Sequence, residues 1–174
     1  MAKSLAWGAK VSKTFRDRVF WIEEQLGVPA DYLMAAMAFE SGETFRPNIK
    51  NAAGSGATGL IQFMPATARS LGTTVEQLAA MTAEDQLNYV YKYFKPYNGR
   101  LKTLADVYMA ILWPRAVGKP ESYVLWTRDK EPTTYRQNAG LDADRNGAIT
   151  KAEAAGKVQA KLVKGVQPGQ VWRG

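Results

Sequence analysis

Apolar residues recur along most of the chain at intervals of three or four, which is the spacing of one helix face. This pattern predicts a helix from Val11 to Leu26 that stops at Gly27, and a nearly all-apolar helix over 32–41 closed by Gly42. Further helices are predicted over 65–71, 75–81, 83–94, 101–112 and about 150–163. Strand signals are few, and the Gly-, Asn-, Ser- and Pro-rich stretch 42–59 predicts a loop that can hold a small hairpin.

The chain has 174 residues, a length that suits one domain with a small appendage. Its composition becomes polar and irregular around residues 130–138. We therefore predict a main domain over 1–130, and a segment over 131–174 that holds a loop, a helix and a tail packed on the same domain.

Cysteine and histidine are both missing from the sequence. This removes disulfides, thiolate nucleophiles, Ser-His-Asp and Cys-His catalysis, and most zinc-hydrolase chemistry. Any acid–base catalyst must then be a carboxylate, a lysine or a tyrosine.

The net charge is +7, which suits an anionic partner but is equally consistent with a charge that only aids solubility. The basic residues are scattered, so nucleic-acid binding is not predicted. No apolar run has the roughly 18–20 residues of a membrane span. The first 13 residues lack the apolar core of a secretory signal, so we expect synthesis in a cytoplasm, or export by a route not written in the sequence.

The segment 142–153 fits the twelve-residue EF-hand loop at each diagnostic position. The predicted calcium ligands are Asp142, Asp144, Asn146, the backbone carbonyl of Ala148, Thr150 and Glu153. The alternative is an Asx-rich turn that binds nothing. Only a short helix can precede the loop, over 137–141, and no second EF-hand is present to pair with it. We therefore predict a structural Ca²⁺ site rather than a calcium sensor.

Glu40 stands at the C-terminal end of the apolar helix, within the segment 38–42. Burial beside Met37 and Phe39 would raise its pKa, and so would the negative end of the helix dipole. A carboxyl that stays protonated near neutral pH can protonate a glycosidic oxygen, as the acid of a glycosidase must. On this ground alone, a glutamate in a last helical turn is more often a surface residue.

A second motif follows, in which Gly59-Leu60-Ile61-Gln62-Phe63-Met64-Pro65 leads into Ala66-Thr67-Ala68. With Glu40-Ser41 before it, this block resembles the lytic transglycosylase SLT family, whose pattern runs E-S, then a G-L-M-Q-like block and P-x-T-A. The resemblance covers roughly residues 27–118. It implies that Glu40 is the catalytic acid and that the glycan contacts Ser41, Gly59, Leu60, Ile61, Gln62, Phe63 and Tyr108.

Two departures from the family pattern concern the site itself. Met109 stands after Tyr108 where the family has asparagine, and Phe45 and Pro47 come two residues late, which leaves Glu43 in an extended loop. The family implies a single acid that closes a 1,6-anhydro ring on the product. If Glu43 lay within about 5–10 Å of Glu40, a second carboxylate would allow water-dependent cleavage instead. Asp85 and Asp106 are weaker candidates for that second carboxylate.

The predicted fold class is mainly α: a lysozyme-like fold with a small β-hairpin/loop region and a C-terminal EF-hand-like calcium loop plus helix. The resemblance implies cleavage of the β-1,4 bond between N-acetylmuramic acid and N-acetylglucosamine in peptidoglycan. The expected partners are glycan strands and the anionic bacterial envelope, and the expected state is a monomer.

We expect a phage endolysin made in the host cytoplasm and acting on the periplasmic wall. A virion-associated or secretion-system transglycosylase and a water-dependent muramidase are the enzymatic alternatives. A calcium-dependent glycan-binding module is the non-enzymatic alternative.

Overall fold

The computed structural model describes residues 2–174, so Met1 lies outside the described residues. Within that range the α-helices are α1 (Lys13–Leu26), α2 (Ala30–Glu40), α3 (Pro65–Ser70), α4 (Val75–Ala80), α5 (Ala83–Phe94), α6 (Leu104–Leu112), α7 (Pro132–Gln137) and α8 (Lys151–Gly165). The strands are β1 (Ser4–Leu5), β2 (Val124–Thr127), β3 (Ala148–Thr150) and β4 (Trp172–Arg173). The prediction of a mainly helical fold is confirmed. None of these helices combines the length and the apolar character needed to cross a membrane.

The chain forms two compact units, one of residues 1–99 with 161–174 and one of residues 100–160. Helix α8 begins in the second unit, and its residues from Lys161 onward belong to the first. The domain boundary predicted near residue 130 stays a prediction.

Side-chain caps start several of the helices. The hydroxyl oxygens of Ser12, Thr74, Thr82 and Thr103 each accept the backbone N–H three residues later. This satisfies one of the N–H groups that the first helical turn leaves without a partner. Gly27 and Gly42, with φ of 66° and 61°, adopt the left-handed conformation that was predicted to end α1 and α2.

In the first unit, α1 packs against α2 and α5 around an apolar core. Every residue from Leu33 to Ala38 is buried, as the all-apolar pattern predicts, and the last two residues of the helix, Phe39 and Glu40, are partly exposed. Strands β1 and β4 pair antiparallel, with Ser4 opposite Arg173 and Leu5 opposite Trp172. The core thus fixes α2 and presents Glu40 at its end.

In the second unit, β2 and β3 pair antiparallel, with Trp126 opposite Ile149 and Thr127 opposite Ala148. Ile149 is fully buried, which agrees with its place in the apolar slot of the EF-hand pattern. The short strand of the 142–153 loop, β3, thus has β2 as its antiparallel partner.

Candidate active site

The Glu40 side chain is partly exposed, but its carboxyl is largely removed from water. Desolvation by burial raises the pKa of Glu40 from its ordinary 4.5 to about 7. The cause predicted from the apolar residues beside Glu40 is therefore present in the structure. A carboxyl with this pKa is protonated in a large fraction of molecules at neutral pH and can donate that proton.

Tyr93 of α5 lies close enough to Glu40 for the Glu40 carboxylate to affect the pKa of its hydroxyl. Burial raises the pKa of the Tyr93 hydroxyl, and the neighbouring Tyr97 and Glu40 raise it further. The Tyr93 ring packs edge-on against Phe63, with 6.3 Å between ring centroids. Tyr93 is therefore near both Glu40 and Phe63 of the predicted glycan-binding block. Sequence reasoning missed this tyrosine, because its neighbours on α5 carry the apolar face.

Ser41, predicted to contact the acid or the substrate, is almost fully buried. Its Oγ accepts the backbone N–H of Phe45 at 2.9 Å, and its carbonyl accepts the Thr44 hydroxyl at 2.7 Å. These bonds fold the chain sharply back just after Glu40. A contact between Ser41 and the substrate stays a prediction.

The predicted glycan-binding block forms a tight turn. Thr58 and Phe63 exchange two backbone hydrogen bonds of 3.0 and 2.8 Å, and Gly59 and Gln62 both adopt positive φ. The Gln62 side-chain amide donates to the carbonyls of Ile49 and Gly59, both at 3.1 Å. Leu60, Ile61 and Phe63 are buried. The small hairpin expected in this region therefore reduces to a turn with isolated bridges.

Gln86 of α5 holds this turn in place, although it was not among the predicted site residues. It is fully buried, and its Oε1 accepts the Leu60 N–H at 2.7 Å. Its Nε2 donates to the carbonyls of Pro47 and Leu78 at 3.0 and 2.9 Å. A Cβ on Gly59 would overlap the Gln86 amide, so this position requires glycine. A glutamine on the apolar face of α5 was the sequence signal for this role.

Glu43, the predicted second carboxylate, is held by two lysines of α8. Lys161 Nζ donates to its Oε2 at 2.5 Å, and Lys164 Nζ donates to its Oε1 at 2.8 Å. The hydrogen bonds from Lys161 and Lys164 lower the pKa of Glu43. Both oxygens of this carboxylate are therefore engaged by cations.

The weaker candidates are also paired, each within its own unit. Asp85 forms an exposed ion pair with Arg18, with Oδ1 and Nη1 3.0 Å apart. Asp106 of α6 forms a buried ion pair with Lys151. Tyr108 of α6 is 4% exposed, and its contact with substrate stays a prediction.

The 142–153 loop brings three of its predicted ligands together, because carboxylate oxygens of Asp142, Asp144 and Glu153 all lie within 4.8 Å of one another. Asp142 is 5% exposed, and its Oδ2 accepts the Tyr135 hydroxyl and the Gly147 N–H. Its Oδ1 is buried and has no hydrogen-bond partner. A buried carboxylate oxygen without a donor is costly unless a cation satisfies it.

The remaining predicted ligands, Asn146, Ala148 and Thr150, belong to the same loop. The Thr150 hydroxyl lies 3.2 Å from Glu153 Oε1, while Asn146 Oδ1 accepts the Ala148 N–H. Gly147 has φ of 86°, as the sharp turn of such a loop requires. Oxygens are the ligands that Ca²⁺ prefers, so the donor set fits this ion.

Comparison with known families gives one match. A family model described as "Transglycosylase SLT domain" matches residues 19–112, which is more than half of the chain. The matched range contains Glu40, Glu43, the 59–63 turn and Tyr108, and it leaves out residues 142–153 and 161–174. No curated protein matches the chain.

Proposed function

The chain belongs to the transglycosylase SLT family, and we propose that it cleaves peptidoglycan strands between N-acetylmuramic acid and N-acetylglucosamine with Glu40 as the acid. The family assignment places it among lysozyme-like, lytic transglycosylase-type glycosidases. One observation carries the assignment of the acid: the desolvated Glu40 carboxyl, whose pKa is about 7, at the exposed end of a buried helix. Such a carboxyl is protonated often enough at neutral pH to act as a general acid.

In the proposed reaction, the protonated Glu40 carboxyl first gives its proton to the glycosidic oxygen, and the bond from that oxygen to C1 of the muramic acid residue breaks. The N-acetylglucosamine end leaves with this proton as its new hydroxyl. The Glu40 carboxylate then accepts the proton of the muramic acid 6-hydroxyl, whose oxygen bonds to C1. The 1,6-anhydro ring closes and Glu40 is protonated again, so no water is consumed.

Water-dependent cleavage is the competing mechanism, and it needs a second carboxylate that can activate water. The engagement of Glu43 by Lys161 and Lys164 supports the single-acid route, because a carboxylate bound by two ammonium groups is a weaker base.

The test is Glu40→Gln, with Glu24→Gln as the matched control at an exposed position of α1. We expect Glu40→Gln to lose roughly 10²- to 10⁴-fold in the rate of sacculus digestion and Glu24→Gln to digest at the wild-type rate. Mass spectrometry of the wild-type products should show anhydro-muramyl ends. Reducing muramyl ends would instead show water-dependent cleavage, and a digestion rate near wild type for Glu40→Gln would remove Glu40 from the mechanism.

We also propose that residues 142–153 bind one structural Ca²⁺. The buried Asp142 Oδ1, which has no partner, supports this within a cluster that also holds Asp144 and Glu153. Calorimetric titration of the full chain should give one Ca²⁺ per molecule. Asp142→Asn should abolish that binding, and Asp129→Asn, at an exposed position outside the loop, should preserve it. Undetectable heat and unchanged stability on adding Ca²⁺ would leave the loop as an Asx-rich turn.

For the biological role we propose a phage endolysin that reaches the host wall. A peptidoglycan-directed family and a net charge of +7, which favours an anionic envelope, support this role. Directing the wild-type chain to the periplasm of a Gram-negative host should lyse the cells, and the Glu40→Gln chain should not. Recovery of the chain in purified phage particles would favour a virion-associated enzyme instead.

A further inference from the structure

The five residues after the proposed acid form a strained turn. Gly42, Glu43 and Phe45 all have positive φ, of 61°, 67° and 51°. For the two residues other than glycine, this left-handed conformation is sterically unfavourable. It persists only where surrounding contacts outweigh that cost, so the contacts of Glu43 and Phe45 determine the shape of the turn.

This turn is bonded directly to the end of α2 that carries Glu40. The backbone N–H of Glu43 donates to the carbonyl of Ala38 at 2.7 Å, and the N–H of Ser41 donates to that of Met37 at 2.9 Å. If the turn relaxed, the last turn of α2 would lose the partners of its final carbonyls and would fray. The position of the Glu40 carboxyl therefore depends on the turn that follows it.

Glu43 is fixed by the C-terminal segment of the first unit. Lys161 and Lys164 lie one turn apart on α8 and bind the two oxygens of the Glu43 carboxylate. The side chains of Glu43 and Lys161 are 21% and 29% exposed, whereas that of Lys164 is 54% exposed, so the contact with Lys161 is the more shielded of the two.

Phe45 is fixed by the N-terminal segment. Its buried ring packs against Trp7 and Phe15, with centroid distances of 6.3 and 6.1 Å. Trp7 is itself fully buried, and its indole N–H donates to the carbonyl of Lys161 at 2.9 Å. Its backbone N–H donates to the carbonyl of Gly165 at 3.0 Å. The two ends of the chain therefore meet on this turn.

We propose that Trp7, Lys161 and Lys164 form a terminal clamp that positions Glu40 for catalysis, with Glu43 as the anchor the clamp holds. All three clamp residues lie outside the 19–112 range matched by the family model. Glu43 is then a positioning residue, and its carboxylate takes no proton in the reaction. The inference rests on the proposed role of Glu40.

The central test compares Glu43→Gln with the double variant Lys161→Met/Lys164→Met. Each change removes one side of the same contact, so both should lower kcat on purified sacculi by on the order of 10- to 100-fold and leave KM unchanged. Combining all three substitutions should lower kcat no further, because the contact is already lost. Lys161→Arg, which retains the ion pair, should keep most of the wild-type kcat. Lys157→Met removes the same charge one turn earlier on α8 and should have no effect.

The clamp and the second-carboxylate role predict different results. If Glu43 accepts a proton, Glu43→Gln loses far more activity than the double lysine variant, and the wild-type products carry reducing ends. Either finding overturns the clamp. A lower melting temperature with unchanged kcat, measured well below that temperature, also overturns it, because the contact would then be purely structural.

Glu40→Gln is assayed in parallel, since it separates this inference from the function on which it rests. Wild-type activity of Glu40→Gln would overturn the proposed function. An inactive Glu40→Gln beside fully active clamp variants would overturn the clamp alone.

Discussion

Glu40 and Asp142 carry the same functional group in two different surroundings. Glu40 ends a helix built from apolar residues, and desolvation raises its pKa to about 7. Asp142 accepts a hydrogen bond from the Tyr135 hydroxyl and another from the Gly147 N–H, and these bonds lower its pKa. Burial without donors makes a carboxyl that keeps its proton, whereas burial with donors makes an anion that suits a cation. The surroundings, and not the residue type, separate the proposed acid from the proposed metal ligand.

Asp106 tests most directly whether hydrogen-bond donors keep a buried carboxylate ionised, because its side chain is as buried as that of an apolar core residue. Desolvation alone would raise its pKa, but hydrogen bonds from Lys151 and from the Gly118 and Lys102 N–H groups outweigh it, so the pKa is lowered. Lys151→Met would leave this carboxylate buried without its cation. We expect a loss of about 3–5 kcal/mol in the free energy of unfolding, measured by urea denaturation.

The matched control for that experiment is Lys157→Met, at an exposed lysine of the same helix, which should change stability little. The double variant Asp106→Asn/Lys151→Met should recover part of the loss, because it removes the unpaired charge. A loss below about 1 kcal/mol for Lys151→Met would mean that donors other than the lysine suffice to keep Asp106 ionised.

Glu40→Gln should stabilise the protein at alkaline pH although it lowers the digestion rate. Folded Glu40 holds its proton up to about pH 7, but unfolded glutamate loses it near pH 4.5, so stability falls as pH rises between these values. At about 1.4 kcal/mol per pKa unit, the full destabilisation is about 3 kcal/mol. Glutamine carries no such cost, and urea unfolding at about pH 8 should show the gain. Equal stability of wild type and variant at both acidic and alkaline pH would contradict the raised pKa.

Calcium should stabilise the chain through the 142–153 loop alone. A ligand present at about 100 times its dissociation constant adds about 2.7 kcal/mol to the free energy of unfolding. We therefore expect a higher melting temperature with Ca²⁺ than with a chelator. The increase should disappear in Asp142→Asn and persist in Glu40→Gln. An increase retained in Asp142→Asn would place the ion elsewhere.

The activity should fall as pH rises above the pKa of Glu40. The proposed acid works in its protonated form, so the digestion rate should drop about tenfold per pH unit above about pH 7. This corresponds to about 1.4 kcal/mol per pH unit. The rate is measured on purified sacculi from about pH 6 to about pH 9 at constant ionic strength. A rate that stays level across this range would show that Glu40 does not supply the proton in the slow step.

The local features of this chain could be predicted from its sequence because short-range patterns determine them. Helical spacing located α1, α2 and α5, and Gly42 was predicted to take the left-handed conformation that ends α2. The order of the Glu40-Ser41 and Gly59–Phe63 motifs was enough to assign the family that the 19–112 match confirms. The direction of the Glu40 pKa shift was also predicted from its place at the end of an apolar helix, and burial is its cause in the structure.

Only the tertiary structure could show which distant residues surround each carboxylate. Glu43 is 118 residues from Lys161 in the sequence, and Asp106 is 45 residues from Lys151, and nothing in the spacing of these residues links them. Gln86 likewise reaches 26 residues back to Leu60. Hydrophobic periodicity shows which face of a helix or strand is apolar, but it does not show which other element that face packs against. The identity of the proposed acid could therefore be predicted from the sequence, while the contacts that hold it in place depend on the folded chain.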